Sequence, residues 1–225
     1  MRGKNGGWEY QFSCEPPRIT RDVVNFCAGG NAYYRLPFDQ ADAGWTQGQG
    51  NNSLPTHQGT LAWAYDMITS CGASIIAARA GTVSLITQSN VWQHNPSCSP
   101  SNPAGCCPAV PVSCGSQCCT KVWCNSNNVK ILHQDGTKGW YFHMPPNAVI
   151  PQNNAFVARG GAVASVGTIG NTSGPHLHFE VNDTSAGRQT ILAKFEALSP
   201  PNPLQPLTCY VPSKGDILIS NNHAQ

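Results

Sequence analysis

Gly174-Pro175-His176-Leu177-His178-Phe179-Glu180-Val181 is the stretch on which the fold turns. Leu177, Phe179 and Val181 alternate with His176, His178 and Glu180, the period of a half-buried strand. Alternate strand side chains share a face, so the two histidines point the same way, about 7 Å apart along the backbone. One imidazole there can hold a metal while the other reaches a water or a substrate beside it. The plainer reading is two polar residues on a solvated face. The Gly-Pro lead-in and the histidines upstream favour a functional pair.

Outward from this strand, further short strands are separated by turn signals. Val129–His133 and Gly139–His143 read as a hairpin turned by Gln134-Asp135-Gly136-Thr137, because Asp-Gly tolerates the positive φ of a tight turn. Residues 74–78 and 81–87 read as two strands joined at Arg79-Ala80-Gly81, and 162–169 as a strand feeding the loop before the His-x-His. Residues 191–195 read as a last strand before a Pro-rich tail. With 22 glycines and 18 prolines in 225 residues, the expected class is mainly β and rich in turns.

The length suits one domain with a sizeable core and an insertion. Residues 1–30 read as a lead-in, 31–213 as the domain with a Cys-rich insertion at 91–127, and 214–225 as a tail. Net charge is +2 with no Lys/Arg run, which argues against nucleic acid as a partner. No apolar stretch approaches the roughly 20 residues of a membrane helix, so no membrane insertion is expected. The chain is read as a monomer.

Eleven cysteines, seven of them between Cys98 and Cys124, point to an oxidising compartment and thus to a secreted or extracytoplasmic protein. The N-terminus carries no apolar signal core, which implies a leader removed or a sequence that begins part-way through a gene. An odd count leaves at least one cysteine without an intrachain partner. The insertion is poor in large aliphatic residues and cannot build its own core, so cross-links must hold it if it is ordered. A zinc cluster is the rival reading, with Cys114 and Cys118 at a tolerable spacing. The vicinal pairs Cys106-Cys107 and Cys118-Cys119 favour disulfides.

For chemistry, there is no His-Glu-x-x-His helix, no Gly-x-Ser-x-Gly elbow and no phosphate loop. What remains is His57, Asp66, His133, His143, His176 and His178. A catalytic zinc site wants three His/Asp/Glu ligands and an open position, and a peptide hydrolase also wants groups that move protons and steady an oxyanion. This set contains enough residues for both tasks.

Over roughly residues 33–212 the chain resembles the M23 (lysostaphin-like, LytM-type) zinc metallopeptidases. The resemblance is carried by Tyr34-Arg-Leu-Pro-Phe38, Thr56-His57-Gln-Gly59, Tyr65-Asp66, Val129-Lys-Ile-Leu-His133, Tyr141-Phe-His143 and Gly167-Thr-Ile-Gly170-Asn-Thr-Ser-Gly174-Pro-His176-Leu-His178. It implies a twisted antiparallel β-sheet with an open groove over the metal. It implies His57, Asp66 and His178 as ligands to one Zn2+ per chain, and His143 and His176 as catalytic histidines. Many relatives place the aspartate four residues after the first histidine; here the gap is nine, as in a related branch, and a small hairpin or bulge can return the strand to the same metal. Glu180 is a backup oxygen ligand, or a structural hydrogen-bonding partner. His133 is read as a strand residue bordering the groove, and Tyr141, Trp63 and Trp140 as groove-lining or packing aromatics.

The function implied is a secreted zinc endopeptidase acting on cross-links or stem peptides of bacterial peptidoglycan. The alternative is a non-catalytic binding or regulatory module on the same fold. The insertion is expected to wall the groove or to shield the protein from proteolysis.

Overall fold

A computed structural model describes residues 33–39, 44–90, 92–94, 117–119, 126–184, 189–196 and 209–218; for 33, 92–94, 117–119, 196, 209–210 and 217 the backbone alone is described. The expected lead-in and most of the Cys-rich insertion lie outside these residues. Among the described cysteines, Cys71 is disulfide-bonded.

The protein is mainly β. In chain order the principal sheet uses β1 (Trp45–Gln49), β2 (Tyr65–Ile68), β3 (Gly81–Thr87), β4 (Asn128–Leu132), β5 (Thr137–Phe142), β6 (Phe156–Val157), β7 (His176–Asp183), β8 (Gln189–Ile191) and β9 (Ile217–Leu218). Across the sheet the order is β6-β3-β4-β5-β7-β2-β1-β9, with β8 also paired to β7, and every pairing is antiparallel. Among the described residues one short 3-10 turn, Gly59–Leu61, interrupts the strands. This is the twisted antiparallel architecture expected from the Gly- and Pro-rich sequence.

The His-x-His strand is β7, central in the sheet, with β5 and β2 on either side. Leu177, Phe179 and Val181 are fully buried, and Phe179 packs on Tyr141 and Phe195 at ring distances of 5.1 and 5.9 Å. Burying each such side chain stabilises the fold by about 1.5–3 kcal/mol and fixes the register, since a slip of one residue would turn the histidines into the core. On the opposite face His178 stands across from Phe142 of β5 and from Asp66 of β2. Strand pairing alone therefore brings Asp66 beside His178.

The hairpin β4–β5 forms as expected, closed by a hydrogen bond from His133 N to the Thr137 carbonyl. Its alternation corrects one reading and decides another. Val129 and Ile131 are buried, and His133 follows them onto the core face, 3% exposed and edge-on to Tyr34, so it does not border the groove. Tyr141 lies wholly in the core, its hydroxyl accepting the Ala78 N–H. Residues 74–76 pair with Ala162–Ser165 in a separate two-stranded sheet, not with β3, which follows them in the chain. The expected last strand is two short ones, β8 and Lys194–Glu196; the latter lies parallel to Tyr33–Tyr34.

The insertion has one described foothold. Trp92–His94 runs parallel to Gln117–Cys119 on one side and to Gly170–Asn171 on the other. Its two roots are tied by Asn127, which is fully buried. The Asn127 side chain accepts the Asn90 N–H at 3.0 Å and donates to the Asn90 and Met144 carbonyls at 2.9 and 3.1 Å.

Candidate metal centre

His57, Asp66 and His178 each offer one ligand atom, and the three atoms lie within 4.8 Å of one another. Among the described residues no other group of three or more His, Cys, Asp or Glu side chains is so placed.

Asp66 and His178 face each other across β2 and β7, with His178 Nδ1 2.8 Å from Asp66 Oδ1. His57 comes from the turn between β1 and β2. That turn is held by Ser53, whose hydroxyl donates to the Gly50 carbonyl and whose carbonyl accepts the His57 N–H. The nine-residue gap from His57 to Asp66 is thus taken up by a loop containing the 3-10 turn, and β2 brings the chain back to the same point.

Ring nitrogens are assigned by their partners. His57 Nδ1 donates to the Gly50 carbonyl at 2.9 Å, which leaves Nε2 as a lone pair. That Nε2 is buried and makes no hydrogen bond, although Asp66 Oδ1 is only 3.3 Å away. A buried lone pair turned toward a carboxylate oxygen is costly unless a cation lies between them. His178 turns Nε2 toward the fully buried Glu180, 3.5 Å from Oε2, and Nδ1 toward Asp66. A carboxylate behind a histidine in this way orients a metal-ligating ring and raises its basicity. Two imidazole nitrogens and one carboxylate oxygen, with a buried carboxylate behind one ring, form a donor set that fits zinc.

The electrostatics agree. Burial would raise the Asp66 carboxyl, but its contacts with His178 and His57, with the charges of His178 and His176, hold it well below the usual carboxylate range. Burial would lower His178, but the carboxylates of Asp66 and Glu180 outweigh it and push the ring up to about 9. The Asp66 carboxylate thus favours a cation at His178 Nδ1, where a proton sits in the place that a bound metal ion would take over.

The other two histidines stand beside this group. His176 shares the face of His178, and its Nε2 is 3.6 Å from Asp66 Oδ1. Its Nδ1 donates to the Gly174 carbonyl at 2.9 Å, with the Thr172 hydroxyl 3.1 Å away. His143 closes the site from the end of β5. It adopts φ 71°, a left-handed conformation uncommon outside glycine, which removes it from the alternation of β5. Gly167 allows this close approach, since a Cβ there would lie 2.6 Å from both the His143 carbonyl oxygen and the Pro145 nitrogen. His143 Nδ1 donates to the Ile169 carbonyl at 2.8 Å, and its ring lies 4.5 Å from that of His176. Burial first, then the charges of His176 and His178, push His143 down to about 3; burial also lowers His176. Both rings are neutral near pH 7, with Nδ1 occupied and Nε2 left to accept a proton.

The five residues singled out in the sequence are thus gathered in one place, and His133 is excluded from it. Ser126 and Thr172, which touch His143 and His176, were not legible as part of a site.

Residues 119–190 match the model of peptidase family M23. Over that span the sequence is similar to the M23 peptidases. The M23 match covers His143, His176 and His178; His57 and Asp66 precede it and join the centre through β1 and β2. Among solved structures the chain is similar to a zinc-containing peptidase from Vibrio cholerae (22% identity, TM-score 0.44), covering 72% of this chain and 39% of that one. It is similar to a mutant catalytic domain of the prophage-encoded M23 protein EnpA from Enterococcus faecalis (19%, TM-score 0.43; 66% of this chain, 88% of that one). It is also similar to the catalytic domain of the antimicrobial peptidase lysostaphin from Staphylococcus simulans (17%, TM-score 0.39; 64% and 82%). The sequence matches no curated protein.

Proposed function

We propose that this chain is a zinc-dependent endopeptidase that cuts peptide bonds in the cross-links or stem peptides of bacterial peptidoglycan, outside the cytoplasm and as a monomer. The observation that carries the reading is the buried, unbonded His57 Nε2 facing Asp66 and His178, with two neutral imidazoles alongside. His57, Asp66 and His178 would hold one zinc ion. Bound there, zinc supplies a Lewis acid that polarises a carbonyl and makes a water more acidic.

The chain's own residues supply the rest. His176 and His143 present Nε2 as proton acceptors, because backbone carbonyls hold their Nδ1 protons. Whichever ring takes the proton becomes a cation beside the reacting carbonyl, steadies the developing oxyanion and returns the proton to the leaving amine. No side chain in the group needs to form a covalent acyl-enzyme. The disulfide at Cys71 supports an oxidising compartment.

The test is mass spectrometry of purified peptidoglycans of several bridge types, digested by the chain beside its His143→Ala variant, with zinc content measured on both. New amino termini with the parent alone, at equal zinc, are expected, the variant losing about 10²–10⁴ in rate. Zinc-loaded parent that releases no termini from any wall type would turn the reading to a non-catalytic binding module.

A further inference from the structure

His143 stands at the end of β5 in a strained backbone conformation, and one hydroxyl meets both its ring and its backbone. Ser126 Oγ lies 3.2 Å from His143 Nδ1, accepts the His143 backbone N–H at 3.0 Å and donates to the Ile169 carbonyl at 3.0 Å. It also lies 3.1 Å from the Asn127 carbonyl. That Ile169 carbonyl is the one that accepts the His143 Nδ1 proton at 2.8 Å. We propose that Ser126 is the positioning residue of His143: it fixes the ring, its main chain and the carbonyl that holds its Nδ1 proton, so that Nε2 faces the metal centre.

The hydrogen-bond count fixes the tautomer of His143. A carbonyl only accepts, so Ile169 requires Nδ1 of His143 to carry the proton. Ser126 has one proton, for which the Ile169 and Asn127 carbonyls are the acceptors, and two lone pairs, which serve the His143 N–H and the near side of Nδ1–H. A non-glycine residue at φ 71° persists only where its surroundings over-determine it. Here the His143 N–H is shared between Ser126 Oγ and the Asn127 carbonyl, both at 3.0 Å, and Ile169 N lies 3.4 Å from the His143 carbonyl. Removing the hydroxyl leaves the ring tied by one acceptor and frees Ile169 to shift.

The position of Ser126 gives the serine a second meaning. It stands at the root of the Cys-rich insertion, packed against Gly170, where a Cβ would come within 2.8 Å of its own. Gly170–Asn171 is the dipeptide on which the strand Trp92–His94 is seated. The anchor of His143 is therefore also the joint between the insertion and the catalytic loop.

The proposal rests on the peptidase reading for its kinetic arm and not for its spectroscopic one. Ser126→Ala is compared with the parent, both zinc-loaded, on the wall peptide that the parent cleaves. A kcat about ten-fold lower is expected, with KM within twofold and zinc still one per chain, as orientation loss alone predicts. In 15N-histidine-labelled protein the parent shows a slowly exchanging Nδ1 proton on His143, assigned with His143→Gln, and Ser126→Ala loses it to solvent exchange. A retained proton overturns the proposal, as does an unchanged kcat or a fall that follows zinc loss or KM. If the parent cleaves nothing, the peptidase reading fails on its own and the Nδ1 proton alone decides the role of Ser126.

Discussion

His178 gives one ring nitrogen to Asp66 and the other to Glu180, and the two carboxylates do different work. Asp66 is 17% exposed at the mouth of the group and can donate an oxygen to a cation; Glu180 is fully buried and turned to the back of the ring. Removing them should therefore fail differently. Asp66→Asn keeps the shape but deletes the only anionic donor of the three, and should leave the protein without stoichiometric zinc after dialysis. Glu180→Gln can still accept from Nε2 but no longer raises the basicity of the ring. Zinc should remain bound, with affinity lowered about 10–100-fold. Competition against a chromogenic chelator ranks the two. Equal losses would mean that Glu180 is itself a ligand, and no loss in Glu180→Gln would remove it from the centre.

At the scale of elements, the site is the place where β2, β5 and β7 deliver one face, and the pairing of β7 with both neighbours was readable only in part. The alternation Leu177, Phe179, Val181 against His176, His178, Glu180 is local, so the sequence displays it. The partner of β7 is not local: Asp66 reaches His178 from 112 residues away, and only the resemblance to a family drew the two together beforehand. Residues 74–76 and β3 are joined by the short link at Arg79-Ala80-Gly81, yet 74–76 pair with 162–165 while Gly81 pairs with Val157 and lies close against Leu132. His133 and His143 look alike on paper. What separates them is backbone: His133 continues the core face of β4, whereas φ 71° takes His143 off the end of β5. Ser126 was invisible because a hydroxyl beside a Cys-rich insertion reads as filler. Gly167 is the element-level counterpart of His143. Its missing Cβ makes room for the His143 carbonyl and Pro145, backbone groups that cannot swing aside. Gly167→Ala should cost about 1–3 kcal/mol, read as a lower denaturant midpoint at unchanged slope. Hydrolysis should fall further than the folded fraction does, since the displaced residue is His143. A midpoint equal to the parent's would show that the contact is loose.

On the scale of the described molecule, the principal sheet gathers the metal-centre histidines on one face and packs Tyr34, Tyr141 and Phe179 together on the other. His133 is the exception, an imidazole in the aromatic layer between Tyr34 and the Ala80 carbonyl, which accepts its Nδ1 proton at 2.9 Å. Its Nε2 is buried with no hydrogen bond, so protonating it would place a second N–H where nothing accepts it. Burial accordingly lowers it from 6.5 to about 4, the Ala80 carbonyl opposing only in part. A lowered folded value means that between those two pH values the unfolded chain binds the proton and the folded chain does not. Stability from keeping His133 neutral is then complete above about pH 6.5 and declines as pH falls through that window toward 4, by about 3 kcal/mol in all. His133→Gln has no proton to gain, and its side-chain amide can still donate to the Ala80 carbonyl. The difference in denaturant midpoint between parent and His133→Gln should therefore shift against the parent as pH drops from 6.5 to 4, whatever the metal-site histidines contribute to both. Curves that stay parallel across that range would place the acid sensitivity of the fold at the metal centre instead of in the core.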